Sequence, residues 1–427
     1  MSSVVVFPAE SFSLIISEIA PDKSISHRSV MFAMLANGES VIENFLRAED
    51  TMNSLEIVKN LGATVVDDGK TIRISSDGIK ESFEVLDCGN SGTGMRLFCG
   101  LLSSAKGHFV LTGDKYLRSR PMKRVTTPLL SIGAKLDGRN EGDLAPLSIR
   151  GASLNAFDYE SKIASAQVKS CMILAALHAS DICTYREPEL SRDHTERMLR
   201  GMGANIVVDG LKTTITPMKE LLNPLKIRVP ADPSSAFFFA VAAAITPNAS
   251  ILLEGVTLNP TRIEAFKALE RMGANITYEI IDNKYEPLGN ISVKYAPLKG
   301  IVIEDNISWL IDELPALSIA MAVADGESLV KNAQELRVKE SDRISTVVEG
   351  LRASNIEVHE YKDGYRIVGG ELKPAEVDSD GDHRIAMSFI IAGIRCGMKV
   401  TDLECINTSF PNFFELLQKI TKVELKL

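Results

Sequence analysis

The sequence predicts an α/β protein of two domains, each made of three copies of one supersecondary unit. Three observations lead there. A glycine after a helical segment recurs at positions 62, 133, 203 and 273. A nearly all-apolar helix recurs six times. The period is about 70 residues, so six copies fill a chain of 427 residues, too long for one ordinary core.

The glycines sit in LGATVV, IGAKLD, MGANIV and MGANIT. A degenerate fifth copy is ASNIEV from Ala353, and the C-terminal TKVELKL reads as a truncated sixth. Each follows an amphipathic helix, as in DTMNSLEIVKN, MKRVTTPLLS, DHTERMLRG and TRIEAFKALER. Glycine there fits a helix C-cap, and the alternation after it fits a strand. Asp-Gly turns, as in VVDDGKTIRI, lead to a second strand.

The apolar helices are SHRSVMFAMLA, SGTGMRLFCGLLSSA, SAQVKSCMILAAL, SSAFFFAVAAAI, LPALSIAMAVA and HRIAMSFIIAG. Being apolar nearly all round, they should be buried. A strand such as VIENFLR or SILLEGVTL follows each. The unit is therefore buried helix, strand, amphipathic helix, strand, turn, strand. The midpoint falls near VPADPSS, residues 229–235, and the early strand SLII, with no unit before it, is expected to cross to the other domain.

The totals exclude several classes. A formal net charge of −9 argues against a general nucleic-acid binder. The start MSSVVVFPAESFSLII lacks the basic region and cleavage site of a secretory signal. The run FFFAVAAAI is about half a membrane span. The cysteines Cys88, Cys99, Cys171, Cys183, Cys396 and Cys405 form no CxxC and no metal-like pairing with histidine. Reduced thiols of a cytoplasmic protein are expected, with no metal site.

The unusual residues lie where the buried helices begin. In PDKSISHR, Lys23, His27 and Arg28 occupy the positive end of a helix, where cations are unfavourable unless an anion is held there. Ser24 or Ser26 is the expected cap. The other helices open on GNSGTGMR (89–96), SAQ (165–167), DPSS (232–235), Asp312 and DHR (382–384). Neighbouring loops add Arg118 and Arg120, Arg192, and the group Lys339, Glu340 and Arg343. Singly, each has an ordinary reading as a cap, a first-turn acid or a solvated charge. Their shared position in the repeat points to a small, multiply charged anion, since arginine suits carboxylate and phosphate through paired hydrogen bonds.

The motifs DKSISHR, GNSGTGMR, RPM at 120–122, SAQVKS, SRDHTERM, IDELP, RVKESDRI and GDHRIAM together resemble the 5-enolpyruvylshikimate-3-phosphate synthase family over residues 22–387. SAQVK, RDHTE, GDK at 113–115 and NPTR at 259–262 resemble its class II members, many of which tolerate glyphosate. The resemblance implies the two-domain enolpyruvyl transferase fold of six βαβαββ units. Domain I would hold 1–20 plus 233–427, domain II 21–232, with the active site in the cleft between them closing on substrate. It implies transfer of the enolpyruvyl group of phosphoenolpyruvate to the 5-hydroxyl of shikimate 3-phosphate, with release of phosphate, by a cytoplasmic monomer using no cofactor and binding neither nucleic acid nor membrane.

By the same resemblance, Lys23, Ser24, Arg28, Ser165, Ala166, Gln167, Arg192, Asp312 and Lys339 contact shikimate 3-phosphate. Lys23, Asn90, Gly92, Arg120, Gln167, Arg343 and Arg384 contact phosphoenolpyruvate. Asp312, Glu340 and Lys23 are the acid–base candidates, and which of Glu340 and Lys23 protonates phosphoenolpyruvate stays open. Three positions depart from patterns within the family. Ala166 replaces a serine of many class I members, Thr408 stands where class I has lysine, and Gly92 is the small residue of glyphosate-sensitive members. UDP-N-acetylglucosamine enolpyruvyl transferases share the architecture, but their loop cysteine is missing from GDKYLRSRP. A non-catalytic anion-binding scaffold would need no acids such as Asp312 and Glu340 among its cations.

Overall fold

The computed structural model describes residues 2–282 and 286–426. The chain divides into two compact units, one of residues 1–20 and 230–427, the other of 21–229.

Each unit repeats one small sheet. The described strands form six four-stranded sheets of the same plan. The third copy shows it: Cys183–Arg186 is parallel to Asp158–Glu160 on one side and antiparallel to Lys212–Ile215 on the other, with Ile206–Asp209 at the edge. The last two strands are the hairpin expected from the Asp-Gly turn, and Val207 stands opposite Thr214. The parallel partner lies before the core helix, and its connection runs through that helix, as parallel pairing requires.

The core helices are Lys23–Ala33, Gly92–Leu102 and Ala166–Ala176 in the 21–229 unit. Those of the other unit are Pro233–Ile245, Leu314–Ala322 and His383–Cys396. All-round apolarity buries them: every residue of Pro233–Ile245 is buried. The second and third helices lie backbone to backbone because position 100 is glycine. A Cβ there would stand 2.2 Å from the carbonyl oxygen of Cys171. The amphipathic helices bury one face only, as in Glu264–Arg271, where Ala265, Phe266, Ala268 and Leu269 point inward.

The glycines after the amphipathic helices take φ of +97° (Gly62), +96° (Gly133 and Gly203) and +108° (Gly273). In the degenerate fifth copy Asn355 takes φ 65° instead. Asparagine is the side chain that best tolerates this left-handed geometry, so the cap survives without glycine.

Two strands are exchanged along the sequence. Ser13–Ile16 pairs in parallel with Ser250–Leu253 of the fourth copy, and Lys226–Arg228 pairs in parallel with the first copy's strand at Val41–Glu43. The truncated sixth copy is completed from the N-terminus. Ser3–Val6 lies between Met398–Thr401 and Val423–Lys426, antiparallel to both. No helix among the described residues is long and apolar enough to cross a membrane.

Candidate active site

The first core helix is capped by Asp22, whose carboxylate accepts from the Ile25 amide at 2.9 Å. This corrects the expectation of a serine cap. Aspartate caps as well as serine and adds negative charge at the positive helix end. Ser26 serves elsewhere, accepting from the Leu46 amide at 3.1 Å. Lys23 is the first helical residue, and its Nζ lies 2.5 Å from Oδ2 of buried Asp50. The cation at this end is therefore held by a carboxylate of the protein, which the sequence reading left out.

Arg28 is buried, 3% exposed. Its guanidinium donates to Thr195 Oγ1 (2.7 Å), the Ser24 carbonyl (3.0 Å) and Ser170 Oγ (2.9 Å). It thus ties Ser24 at the helix entrance to the third core helix. Between Lys23 and Arg28, His27 lies 2.8 Å from Ser54 Oγ through Nδ1 and 3.1 Å from Ser91 Oγ through Nε2. Burial holds its pKa well below the ordinary value, and the charges of Lys23 and Arg28 push the same way. The neutral ring joins the first helix to the cap of the second. In the unfolded chain it protonates near 6.5, so below that pH the unfolded state binds the extra proton and folding loses stability. We expect unfolding free energy to fall by up to about 1.4 kcal/mol per pH unit below the mid-sixes from this group. Urea titrations of His27→Gln should show a shallower pH slope than wild type; equal slopes would show that His27 does not titrate this way.

Ser91 caps the second core helix by accepting from the Gly94 amide at 3.0 Å. Asn90 and Gly92 flank it. Oδ1 of Asn90 is buried with no hydrogen-bond partner among the described residues. Arg120 reaches the same turn, its Nη1 3.4 Å from the Asn90 carbonyl oxygen. A Cβ on Gly92 would stand 2.9 Å from the Arg120 guanidinium carbon. Gly92→Ala should therefore displace the Arg120 guanidinium and weaken binding of an anion at this turn roughly 10-fold. Unaltered anion affinity, measured by titration with phosphate, would show that the guanidinium yields without consequence.

The third core helix is capped by Ser165, at 3.5 Å from the Val168 amide. Gln167 is fixed on both ends of its amide: Arg96 Nη1 donates to Oε1 at 2.5 Å, and Nε2 donates to Thr93 at 2.9 Å. Arg96 also donates to the Pro121 carbonyl at 3.1 Å, linking this helix to the loop of Arg120. Arg96 lies inside the quoted GNSGTGMR and was not singled out there. Arg192 is half-buried in the loop before helix His194–Gly201, whereas Arg118 is exposed. The 21–229 unit thus brings together Lys23, Ser24, Arg28, Asn90, Gly92, Arg120, Ser165, Ala166 and Gln167 at the entrances of its three core helices, with Arg192 on the loop before helix His194–Gly201.

The other unit gathers a second group. Asp312 precedes the fifth core helix, and its Oδ1 accepts from Lys339 Nζ (3.1 Å) and Arg343 Nη1 (3.2 Å). Arg343, 1% exposed, also donates to Glu340 Oε2 at 2.6 Å and to Asp382 Oδ2 at 2.7 Å. Burial alone would lower its pKa, but the carboxylates of Asp382, Glu340 and Asp312 outweigh that and hold it above the ordinary value. Asp382 is the residue the sequence reading undervalued. It caps the sixth core helix through the Arg384 amide (2.8 Å) and anchors Arg343 with the same carboxylate. Arg384 is 8% exposed, and its Nη1 has no hydrogen-bond partner among the described residues. Its guanidinium stands 5.8 Å from the Phe238 ring centroid. Thr408 is buried and donates to the Cys405 carbonyl at 2.7 Å.

A second acid–base knot was missed at the fourth core helix. Asp232 caps it and, with Ser234, accepts from Arg262 of NPTR at 2.9 Å each. Ser234 also bonds Glu313. Among the described residues no cluster of histidine, cysteine and carboxylates is arranged to hold a metal.

Helix entrances carrying arginine or lysine paired with carboxylates recur in each unit, a pattern of α/β proteins that bind anions. Residues 13–417 match the family model of EPSP synthase (3-phosphoshikimate 1-carboxyvinyltransferase), and the chain belongs to that family. It is 79% identical over 424 residues to the 3-phosphoshikimate 1-carboxyvinyltransferase of Sulfurimonas denitrificans, covering 99% of each chain. It is 63% identical over 430 residues to that of Nitratiruptor sp., again covering 99% of each. The solved EPSP synthase from Acinetobacter baumannii superposes with a TM-score of 0.88 at 38% identity, covering 100% of both chains.

Proposed function

We propose that the chain transfers the enolpyruvyl group of phosphoenolpyruvate to the 5-hydroxyl of shikimate 3-phosphate, releasing phosphate, in the shikimate route to aromatic amino acids. The observation that carries this reading is Asp312, a carboxylate set between Lys339 and Arg343 with Glu340 beside them. An acid among cations is what this addition–elimination needs. Protonation of the methylene carbon of phosphoenolpyruvate makes the adjacent carbon electrophilic, and the substrate hydroxyl attacks it. The tetrahedral intermediate then loses a methyl proton and phosphate.

Asp312 takes the hydroxyl proton, and Glu340 or Lys23 handles the methylene proton. Lys23, Ser24, Arg28, Ser165, Ala166, Gln167, Arg192 and Lys339 hold shikimate 3-phosphate. Asn90, Gly92, Arg120, Gln167, Arg343 and Arg384 hold phosphoenolpyruvate, where their donors stabilise charge on the carboxylate and the departing phosphate. The same reading makes the enzyme a cytoplasmic monomer that needs no cofactor. Phosphate release tests the reading. It is expected only when shikimate 3-phosphate and phosphoenolpyruvate are both present. Release with UDP-N-acetylglucosamine as acceptor instead would move the chain to the sister activity, and release with neither would overturn the reaction.

A further inference from the structure

One turn past Ser165, the third core helix carries a buried cation with no part in the chemistry above. Lys169 is 2% exposed. Its ammonium donates to Glu187 Oε1 (2.7 Å) and to the Ser191 carbonyl (3.2 Å), and lies 2.9 Å from Glu196 Oε1. Ser191 Oγ in turn donates to Glu187 Oε2 at 2.6 Å. All three N–H bonds of the ammonium are therefore spent on one segment: where it leaves the strand Cys183–Arg186, within it, and where it enters helix His194–Gly201. Arg192 is the next residue after the clamped Ser191. The neighbours on both sides repeat the join, since Ser170 and Thr195 lie 2.7 Å apart and share Arg28.

Stability alone does not account for this arrangement. Two carboxylates face one ammonium, and Glu196 Oε2 is buried with no hydrogen-bond partner among the described residues. A network kept only for stability would be fully satisfied, and apolar residues of similar volume serve as well or better in such places. What three charged anchor points supply is a fixed position for the backbone between them. We infer that Lys169, with Glu187 and Glu196, is a positioning device that holds the Arg192 loop against the Ser165 end of the third core helix, where it sets affinity for the phosphate of shikimate 3-phosphate. The inference rests on the assignment of Arg192 to that substrate.

The test is the triple variant Lys169→Met/Glu187→Leu/Glu196→Leu, which removes all three charges together. Amide hydrogen exchange over 188–193 is expected to speed up by about 10-fold or more while 166–176 stays protected. The KM for shikimate 3-phosphate should rise about 10-fold or more, with that for phosphoenolpyruvate changing less than about twofold. Unchanged exchange in the loop, or loosening of loop and helix together, overturns the clamp. So does a loosened loop with both KM values unaltered. Should the triple variant not fold, Glu187→Gln is read by the same measurements, against the same outcomes at smaller amplitude. Wild-type protein that turns over no shikimate 3-phosphate would sink the parent reading, and the exchange result would still decide whether the triad holds the loop.

Discussion

Asp312→Asn is expected to lower kcat by about 10²-fold or more while leaving both KM values within about threefold. The amide keeps an oxygen at the place where Lys339 and Arg343 donate, at 3.1 and 3.2 Å, so the cations stay oriented. It loses the ability to take a proton at neutral pH. The effect should therefore appear in turnover and not in binding. Steady-state phosphate release, varying each substrate in turn, separates the two. A variant of near-normal kcat would remove Asp312 from the base role, and a large KM change with kcat intact would make it a binding group.

Asp382→Ala should be the most destabilising single change at the site, at about 3–5 kcal/mol. Two losses add. The sixth core helix loses the cap on Arg384, about 1 kcal/mol in typical hosts. Arg343, 1% exposed, loses the acceptor at 2.7 Å that anchors its Nε. Asp312 and Glu340 still face that guanidinium, which argues for the lower part of the range. Asp382→Asn keeps a cap oxygen and one acceptor and should cost about half as much. Denaturant midpoints of the three proteins give the order; an alanine variant within about 1 kcal/mol of wild type would show that Arg343 is held adequately by the other two carboxylates.

Much of the fold was legible because periodicity is local. All-round apolarity marked the six core helices, and the recurring glycines marked the hairpins. The strands before the core helices were harder. Leu86–Asp87 and Val302–Ile303 are two residues long, too short to show alternation. Ser3–Val6 was overlooked because nothing near it announces a partner almost 400 residues away. The same division holds for the site. Residues at helix entrances were legible from their place in the repeat. Asp50, Arg96 and Lys169 were not, and Asp382 was read only as part of its helix opening, because their importance lies in pairing across the fold. Asp50 carries the charge that makes Lys23 tolerable at a helix start, and no spacing rule joins positions 23 and 50. The Asp22 cap was a nearer miss: both an aspartate and a serine were within reach, and the helix simply starts earlier than the apolar run suggested.

The strand Ser3–Val6, lodged between Met398–Thr401 and Val423–Lys426, orders events during synthesis. Ser13–Ile16 must likewise wait for Ser250–Leu253. The described strands of residues 21–229 pair only with one another, so this unit can finish folding while later copies are still being translated. The discontinuous unit closes last, once its C-terminal strands have been made. Until then its two earliest strands are unpaired edges, and the emerging chain depends on their staying out of other sheets.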